Sequence, residues 1–140
     1  MYLLDTNVIS ELRSGKPKQS QLVRNWAATQ RSNKLYLSAI TILELEIGVR
    51  LFERRTPPQG QTLRRWLDGV RKEFSGRILP FSENTALICA PLHVPNKQAD
   101  RDAIIAATAL EHGFTVVTRN VKDFKNSGAS IVNPWGKEPV

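Results

Sequence analysis

The sequence is poor in cysteine and has no long apolar run. Its single cysteine, Cys89, cannot form a disulfide bond within the chain, which excludes the disulfide-rich secreted class. The first residues, MYLLD, lack the basic segment and the extended apolar stretch of a secretory leader. No run reaches the roughly 20 apolar residues that a membrane-spanning helix needs. We therefore expect a cytoplasmic protein with no membrane-spanning segment.

Several groups of catalytic residues are also missing. The two histidines, His93 and His112, have no partners at the spacing of zinc ligands. The chain contains no glycine-rich phosphate-binding loop and no serine or cysteine nucleophile arranged with a histidine. The apolar fraction of 41% and the charged fraction of 24% are ordinary for a folded globular protein. We expect one domain that spans residues 1–140.

Acidic residues are fewer than basic ones, with 13 Asp and Glu against 20 Lys and Arg and a net charge of +7. Residues 13–34 contain six basic residues and no acid, and residues 50–77 contain eight basic and three acidic residues. Such stretches attract a polyanion through the release of its counterions. A solvated surface or an acidic partner protein explains the same charge equally well.

Short β-rich runs alternate with longer helical patterns along the chain. The expected strands are residues 2–4, 35–40, 78–81, 115–118 and 131–132. The expected helices are residues 6–13, 21–30, 41–54, 61–74, 83–92 and 100–112. Residues 56–60 (TPPQG) are expected to form a loop. This alternation predicts an α/β fold with a central, mostly parallel β-sheet flanked by helices on both faces.

Three acidic residues are predicted to face inward. Asp5 directly follows the first strand, at the sheet edge where ligands of parallel sheets bind. At about 100° per residue, Glu44 lies on the apolar side of its helix and Glu46 on the polar side. The same projection places Asp102 inside the apolar arc of its helix and Asp100 outside it.

An ionised carboxylate that faces a protein core needs a partner, because its burial costs several kcal/mol. A hard divalent cation such as Mg²⁺ or Mn²⁺ relieves the repulsion between converging acids. In the structural alternative, Asp5 caps the helix after the first strand, Glu44 pairs with an arginine and Asp102 caps its own helix. The pattern of residues leaves both interpretations open.

Five blocks, in order along nearly the whole chain, resemble the PIN domains. They are residues 2–11 (YLLDTNVISE), 37–45 (LSAITILEL), 102–109 (DAIIAATA), 115–120 (TVVTRN) followed by Asp123-Phe124, and 133–135 (NPW). The last block is similar to the tail of the FitB-like subgroup, and the resemblance is to the toxin branch called VapC or FitB-like. It implies a metal-dependent endoribonuclease that acts as the toxin of a toxin–antitoxin pair. The family's metal-binding acids correspond to Asp5, Glu44 and Asp102, with Mg²⁺ or Mn²⁺ as the expected ion.

The resemblance also assigns roles around these acids. The family's fourth position, often acidic, corresponds to Asn120, and Asp123 one turn later is a candidate replacement. Thr118 and Asn120 are expected to hydrogen-bond the outer shell of the site. Arg119 is expected either to steady a phosphate or to pair with an acid. Asn7 is expected to fix the first helical turn through bonds from its side chain to the backbone.

The expected partners also follow from the resemblance. They are single-stranded RNA as substrate, a VapB-like antitoxin protein and a second copy of the chain. A stripe of Leu45, Val49 and Phe52, away from Glu44, is the candidate dimer surface, and a covering helix that starts near Gln61 is the alternative explanation.

Three other functions remain as alternatives. The first is an RNA-processing nuclease outside a toxin–antitoxin pair, the second is a nucleic-acid-binding module that has lost catalysis, and the third is a phosphoryl-transfer domain. In a phosphoryl-transfer domain a second aspartate is expected two residues after Asp5, but this chain has Asn7 at that position.

Overall fold

The structure, a computed structural model, describes residues 1–136, so residues 137–140 of the expected domain lie outside the described residues. The strands are β1 (Tyr2–Leu4), β2 (Leu35–Ser38), β3 (Ile78–Leu79), β4 (Thr115–Val117) and β5 (Ile131–Val132). The α-helices are α1 (Thr6–Glu11), α2 (Gln21–Ala28), α3 (Ala39–Arg55), α4 (Pro57–Glu73), α5 (Glu83–Cys89), α6 (Asp100–His112) and α7 (Val121–Phe124). Among residues 1–136, no helix has the length and apolarity needed to cross a membrane.

The five strands form one sheet in the order β3-β2-β1-β4-β5, and all four neighbouring pairs are parallel. In the central pairs, Tyr2 lies beside Leu35 and Leu4 lies beside Val117. The predicted parallel sheet is therefore confirmed. Because all strands run in one direction, the residues that follow β1, β2 and β4 lie at the same edge.

Helices cover both faces of the sheet, as predicted. The side chains of Leu3 and Leu4 point to opposite faces because successive residues of a strand alternate. Leu4 packs in one buried cluster with Val49 of α3 and Leu67 of α4. Leu3 packs in a second cluster with Ile105 of α6. The sheet is thus the middle layer between two cores.

The largest difference from the prediction lies at the start of α4. The segment 56–60 was expected to be a loop, but the helix begins at Pro57. Proline is favoured at the first helical position, where its missing N–H has no intrahelical partner and its fixed φ suits the helix. The short helix α7 was not expected either, because four residues are too few for a periodic pattern.

A glycine allows α3 and α4 to approach each other closely. Gly60 is buried, and a Cβ atom placed on it would lie 2.5 Å from the Cα of Glu53. That separation is far below van der Waals contact, so a side chain at this position would force the two helices apart. Gly69 of the same helix has open space around its Cα.

Candidate functional site

Asp5 is held in place at the carboxyl end of β1. It is the N-cap of α1, where Oδ1 accepts a hydrogen bond of 2.7 Å from the backbone N–H of Thr6. Oδ2 accepts a bond of 2.7 Å from Oγ1 of the fully buried Thr118. Burial raises the pKa of the Asp5 carboxyl, and the bonds from Thr118 and Thr6 counteract part of that rise. The carboxyl is thus rigidly oriented and disfavoured in its charged form.

Asp102 lies in the first turn of α6 and is half-buried, as predicted. Burial, together with the smaller effect of the charges of Asp5, Asp123 and Glu44, raises its pKa to about 6. Within residues 1–136, no hydrogen bond or cation counteracts this rise. The structural alternative, in which Asp102 caps its own helix, is wrong because Ala99 is the N-cap.

Glu44 of α3 is the third predicted acid, and its side chain is 21% exposed. Oε1 accepts a hydrogen bond of 3.0 Å from Oγ1 of Thr6, and Oε2 lies 3.2 Å from Nη1 of Arg101. Glu44 therefore has the arginine partner of the structural alternative and also faces the other acids. The side of α3 that carries Glu44 was predicted to be apolar and inward-facing, but it is not buried, since Ile47 is 40% and Leu51 is 48% exposed.

The predicted orientation of Glu46 is wrong. Its carboxylate lies between α3 and α4, where Oε1 and Oε2 each accept a bond of 2.7 Å from the guanidinium of Arg64. Arg50 binds the same carboxylate at 2.9 Å. The helical projection located the polar side of α3 correctly but contained no information on the helix packed against it. Asp100 is exposed as predicted, at 71% of its side chain.

The residues after β4 join the site through Thr118. Its Oγ1 accepts a bond of 3.0 Å from the backbone N–H of Asn120 while donating to Asp5. Asn7 does not fix the first turn as predicted. Its Nδ2 lies 3.4 Å from Oδ2 of Asp5, and its Oδ1 accepts a bond of 3.4 Å from the N–H of Arg119. Asn7 thus links the ends of β1 and β4.

Arg119 lies at the same edge but pairs with no acid of the site. Its guanidinium carbon is 5.4 Å from the ring centroid of Trp135, a cation–π contact. It also helps to lower the pKa of the buried Glu11, which is bonded mainly to Lys16. Of its two expected roles, pairing with an acid of the site is wrong within residues 1–136, and steadying a phosphate stays a prediction.

Asp123 of α7 completes the group of acids. Its charge raises the pKa of both Asp5 and Asp102, so it lies close enough to interact with each. Asp123 and Asp102 line one cavity of about 290 Å³. The fold thus brings together Asp5 at the end of β1, Glu44 of α3, Asp102 of α6 and Asp123 of α7. We call these four residues the acid cluster.

The acid cluster offers oxygen donors alone, which are the ligands that Mg²⁺ and Mn²⁺ prefer. Within residues 1–136, no three His, Cys, Asp or Glu side chains are close enough to ligate one ion directly. Mg²⁺ keeps several water ligands and commonly binds through one or two carboxylates, so this donor set fits a largely hydrated ion. It does not match the usual zinc sites of proteins, which are built mainly from His nitrogen and Cys sulfur ligands.

Two residues of the site were not identified from the sequence. Oγ1 of Thr6 donates to Glu44 and lies 3.2 Å from Oγ1 of Thr41. Arg101 lies beside Glu44 although it is 57 residues away in the sequence. The only signal in the sequence was that Thr6 directly follows Asp5 and that Arg101 directly precedes Asp102.

Comparisons with known proteins identify relatives with a similar sequence and a similar fold. A VapC ribonuclease, Y4jK, from Sinorhizobium fredii is 40% identical, and the match covers 96% of this chain and 98% of that protein. Toxin FitB from Neisseria gonorrhoeae is 38% identical over 96% of this chain and 99% of that toxin. The crystal structure of FitAcB from the same organism superimposes with a TM-score of 0.86 at 38% identity, covering 96% and 99% of the two chains. The sequence model of the PIN domain matches residues 2–128. The chain therefore belongs to the PIN domain family.

Proposed function

We propose that this protein is a metal-dependent endoribonuclease that hydrolyses RNA phosphodiester bonds and acts as a toxin. The observation that carries the proposal is Asp102, a half-buried carboxylate whose neighbours are three further acids. A structural carboxylate at this depth would be paired, and this one has no partner within residues 1–136. The names of the relatives, a ribonuclease and a toxin, support the same activity.

A bound Mg²⁺ supplies Lewis acidity toward the phosphate and lowers the pKa of a water molecule. Asp5 and Asp102 would hold this ion. Thr118 and the N–H of Thr6 fix the orientation of the Asp5 carboxylate before substrate arrives. Glu44, held by Thr6, adds the third carboxylate and orients water at the edge of the cluster.

We infer that Asp123 rather than Asn120 supplies the fourth carboxylate. The charge of Asp123 acts on both Asp5 and Asp102. Asn120 begins α7 as its N-cap and directs its backbone N–H toward Thr118. Asn120 then supports the orientation of Thr118, and its exposed amide oxygen is a neutral acceptor for water or substrate.

Arg101 gives the site a balancing cation. Its guanidinium pairs with Glu44 at 3.2 Å, while half of its side chain remains exposed. In this proposal Arg101 neutralises Glu44 when no ion is bound and is free to swing toward the phosphate of a substrate. The exposed fraction of 52% leaves room for that movement.

The direct test is cleavage of total bacterial RNA by the purified protein with Mg²⁺, with Mn²⁺ and with EDTA. We expect discrete fragments that require a metal ion and disappear in the Asp5→Asn and Asp102→Asn variants. Asp100→Asn is the matched control, because Asp100 lies on the same helix turn but faces solvent. Cleavage that persists in EDTA, or in both variants, contradicts the proposal.

A toxic nuclease needs a neutralising partner while its host grows, and we propose an antitoxin protein as that partner. A groove of about 570 Å³ between α1, α3 and α4 opens beside Glu44. Phe52, Leu63 and Trp66 give it an apolar lining, and Arg13 is among the basic residues around it. An antitoxin segment with apolar side chains and acidic groups fits this groove. Co-expression with a candidate antitoxin should relieve growth arrest, and Trp66→Ala should weaken that relief.

We propose that the protein forms a homodimer. The predicted stripe is partly wrong, since Leu45 and Val49 are buried in the core and only Phe52 is exposed. The exposed apolar stripe of α3 is instead Leu43, Ile47 and Leu51, which are 49%, 40% and 48% exposed. These side chains lie four residues apart on one face of α3.

Light scattering should show a dimer for the native chain and a monomer for Ile47→Asp. The control is Leu22→Asp, at a leucine of α2 that is 56% exposed. A monomeric native protein contradicts the homodimer proposal.

A further inference from the structure

A small cavity of about 290 Å³ opens beside the acid cluster, on the side of α6 and α7. It lies next to Asp102 and Asp123, so a group bound in it is adjacent to the proposed reaction centre. Its volume is near the lower end of the range of about 300–1,000 Å³ for pockets that hold small molecules. We call it the α6–α7 cavity.

The α6–α7 cavity combines an apolar wall with polar side chains. Leu92 and Pro95 contribute aliphatic surface, while Asn96, Gln98 and Asn126 contribute amide groups. Each of these amides is exposed at the surface of the protein. An apolar wall that contacts the face of a ring, with amides around its edge, matches how proteins hold an unstacked base.

Hydrogen bonds hold Gln98 in place at the edge of the cavity. Nε2 of Gln98 donates a bond of 2.9 Å to the backbone carbonyl of Asn96, which fixes the Gln98 side chain. The backbone N–H of Gln98 donates to Nδ1 of His93 at 3.1 Å. The segment that carries Gln98 is therefore anchored, and its Oε1 has a defined position as an acceptor.

One cation lies at the same opening. Lys122 is the only Lys or Arg among the described residues that line the α6–α7 cavity, and it is adjacent to Asp123 in α7. An exposed ammonium group next to an acid cluster suits a phosphate that lies one nucleotide away from the cleaved bond. The cavity thus offers complementary groups for the base and the backbone of RNA.

We propose that the α6–α7 cavity is the subsite that binds the base next to the cleaved phosphate, and that Gln98 and Asn126 set the base preference. This inference rests on the proposed ribonuclease function. The antitoxin is assigned to the groove beside Glu44 because that groove is larger and has an apolar lining. The polar lining of the smaller cavity fits the edge of a base better than it fits an apolar peptide side chain.

The first experiment maps the cleavage sites of the intact protein on a randomised single-stranded RNA by sequencing. We expect Asn126→Ala and Gln98→Ala to reduce the base preference at one position beside the cut by about tenfold. Lys122→Ala should slow cleavage at all sites without changing the preference. Asn33→Ala and Lys125→Ala are matched controls, because these exposed residues do not line the cavity.

The second experiment measures binding without cleavage. The four ribonucleoside monophosphates are titrated into the protein in EDTA, and the side-chain amide resonances of Gln98 and Asn126 are followed by NMR. We expect shifts with one or two of the four bases and their loss in Asn126→Ala. This readout is independent of the nuclease reaction, so an inactive protein tests the base subsite as well.

The outcomes separate the two proposals. Native protein without metal-dependent cleavage contradicts the ribonuclease function, and base-dependent NMR shifts would still support a base subsite. Unchanged base preference in both amide variants of an active enzyme overturns the subsite. Amide resonances that respond to an antitoxin peptide but to none of the four nucleotides also overturn it.

Discussion

Replacing Asp102 with asparagine should stabilise the protein while removing its activity. The side chain keeps its size and loses the charge that burial and three other acids disfavour. A carboxyl whose pKa rises from 3.8 to about 6 destabilises the folded state by about 3 kcal/mol when it is ionised. Because Asp102 is only half-buried, solvent screening reduces this to about 1 kcal/mol.

The expected gain is measurable by thermal unfolding in EDTA. A chain of this length has an unfolding entropy of about 0.3 kcal/mol per kelvin, so 1 kcal/mol corresponds to about 3 °C. The size of this gain in stability depends on pH. The folded pKa of Asp102 is raised, so ionisation weakens folding as the pH rises from about 4 to about 6. The stability gap between Asp102→Asn and the native protein should be small at pH 4 and complete at pH 7.

Asp100→Asn is the control that separates the stabilisation expected at position 102 from the general effect of removing a carboxylate from α6. Asp100 is exposed and 3.9 Å from Lys97, and a negative charge in the first turn of a helix is favourable. This variant should therefore be no more stable than the native protein. The reasoning is refuted if Asp102→Asn shows no gain at pH 7, or if Asp100→Asn gains as much.

The remaining predictions concern metal binding, helix packing and the buried hydroxyl. Mg²⁺ at about ten times its dissociation constant should stabilise the native protein by about 1.4 kcal/mol, and calorimetry should detect no such gain in Asp102→Asn. Gly60→Ala should destabilise the protein by about 1–3 kcal/mol, because its Cβ meets the backbone of α3 at 2.5 Å. Gly69→Ala, in open space on the same helix, should stabilise it by up to about 1 kcal/mol in a urea titration. Thr118→Val should cost about 1.5–3 kcal/mol and raise the pKa of Asp5, so the acidic limb of the cleavage–pH profile moves to higher pH.

Much of the fold was predictable because local patterns determine it. Short β-branched runs and helical periodicity predicted the alternating elements, and alternation of this kind permits little besides a parallel sheet covered on both faces. The predicted helix boundaries were wrong where two local rules disagree. At Pro57, proline indicates a loop and is also favoured as the first residue of a helix. The short α7 gave no periodic signal at all.

The sequence by itself determined which carboxylates lie on the apolar, inward-facing side of their elements. Asp5 follows a buried strand and Asp102 lies on the apolar arc of its helix, and neither statement needs a partner element. Residue types at fixed spacing therefore sufficed to predict that these carboxylates face inward, whereas the choice of a metal site over the structural alternative came from the resemblance to PIN domains.

Only the tertiary structure decided what each acid contacts. Glu46 and Glu44 lie two residues apart on α3, yet Arg64 of α4 binds one and Arg101 of α6 binds the other. Asn7 bonds across 112 residues to the backbone of Arg119 instead of to its own turn. Such partners lie on elements distant in sequence, and helical periodicity carries no information on which element packs against a given face. The sequence therefore indicated where the charges converge, and the packing of the helices determined which of them stays unpaired.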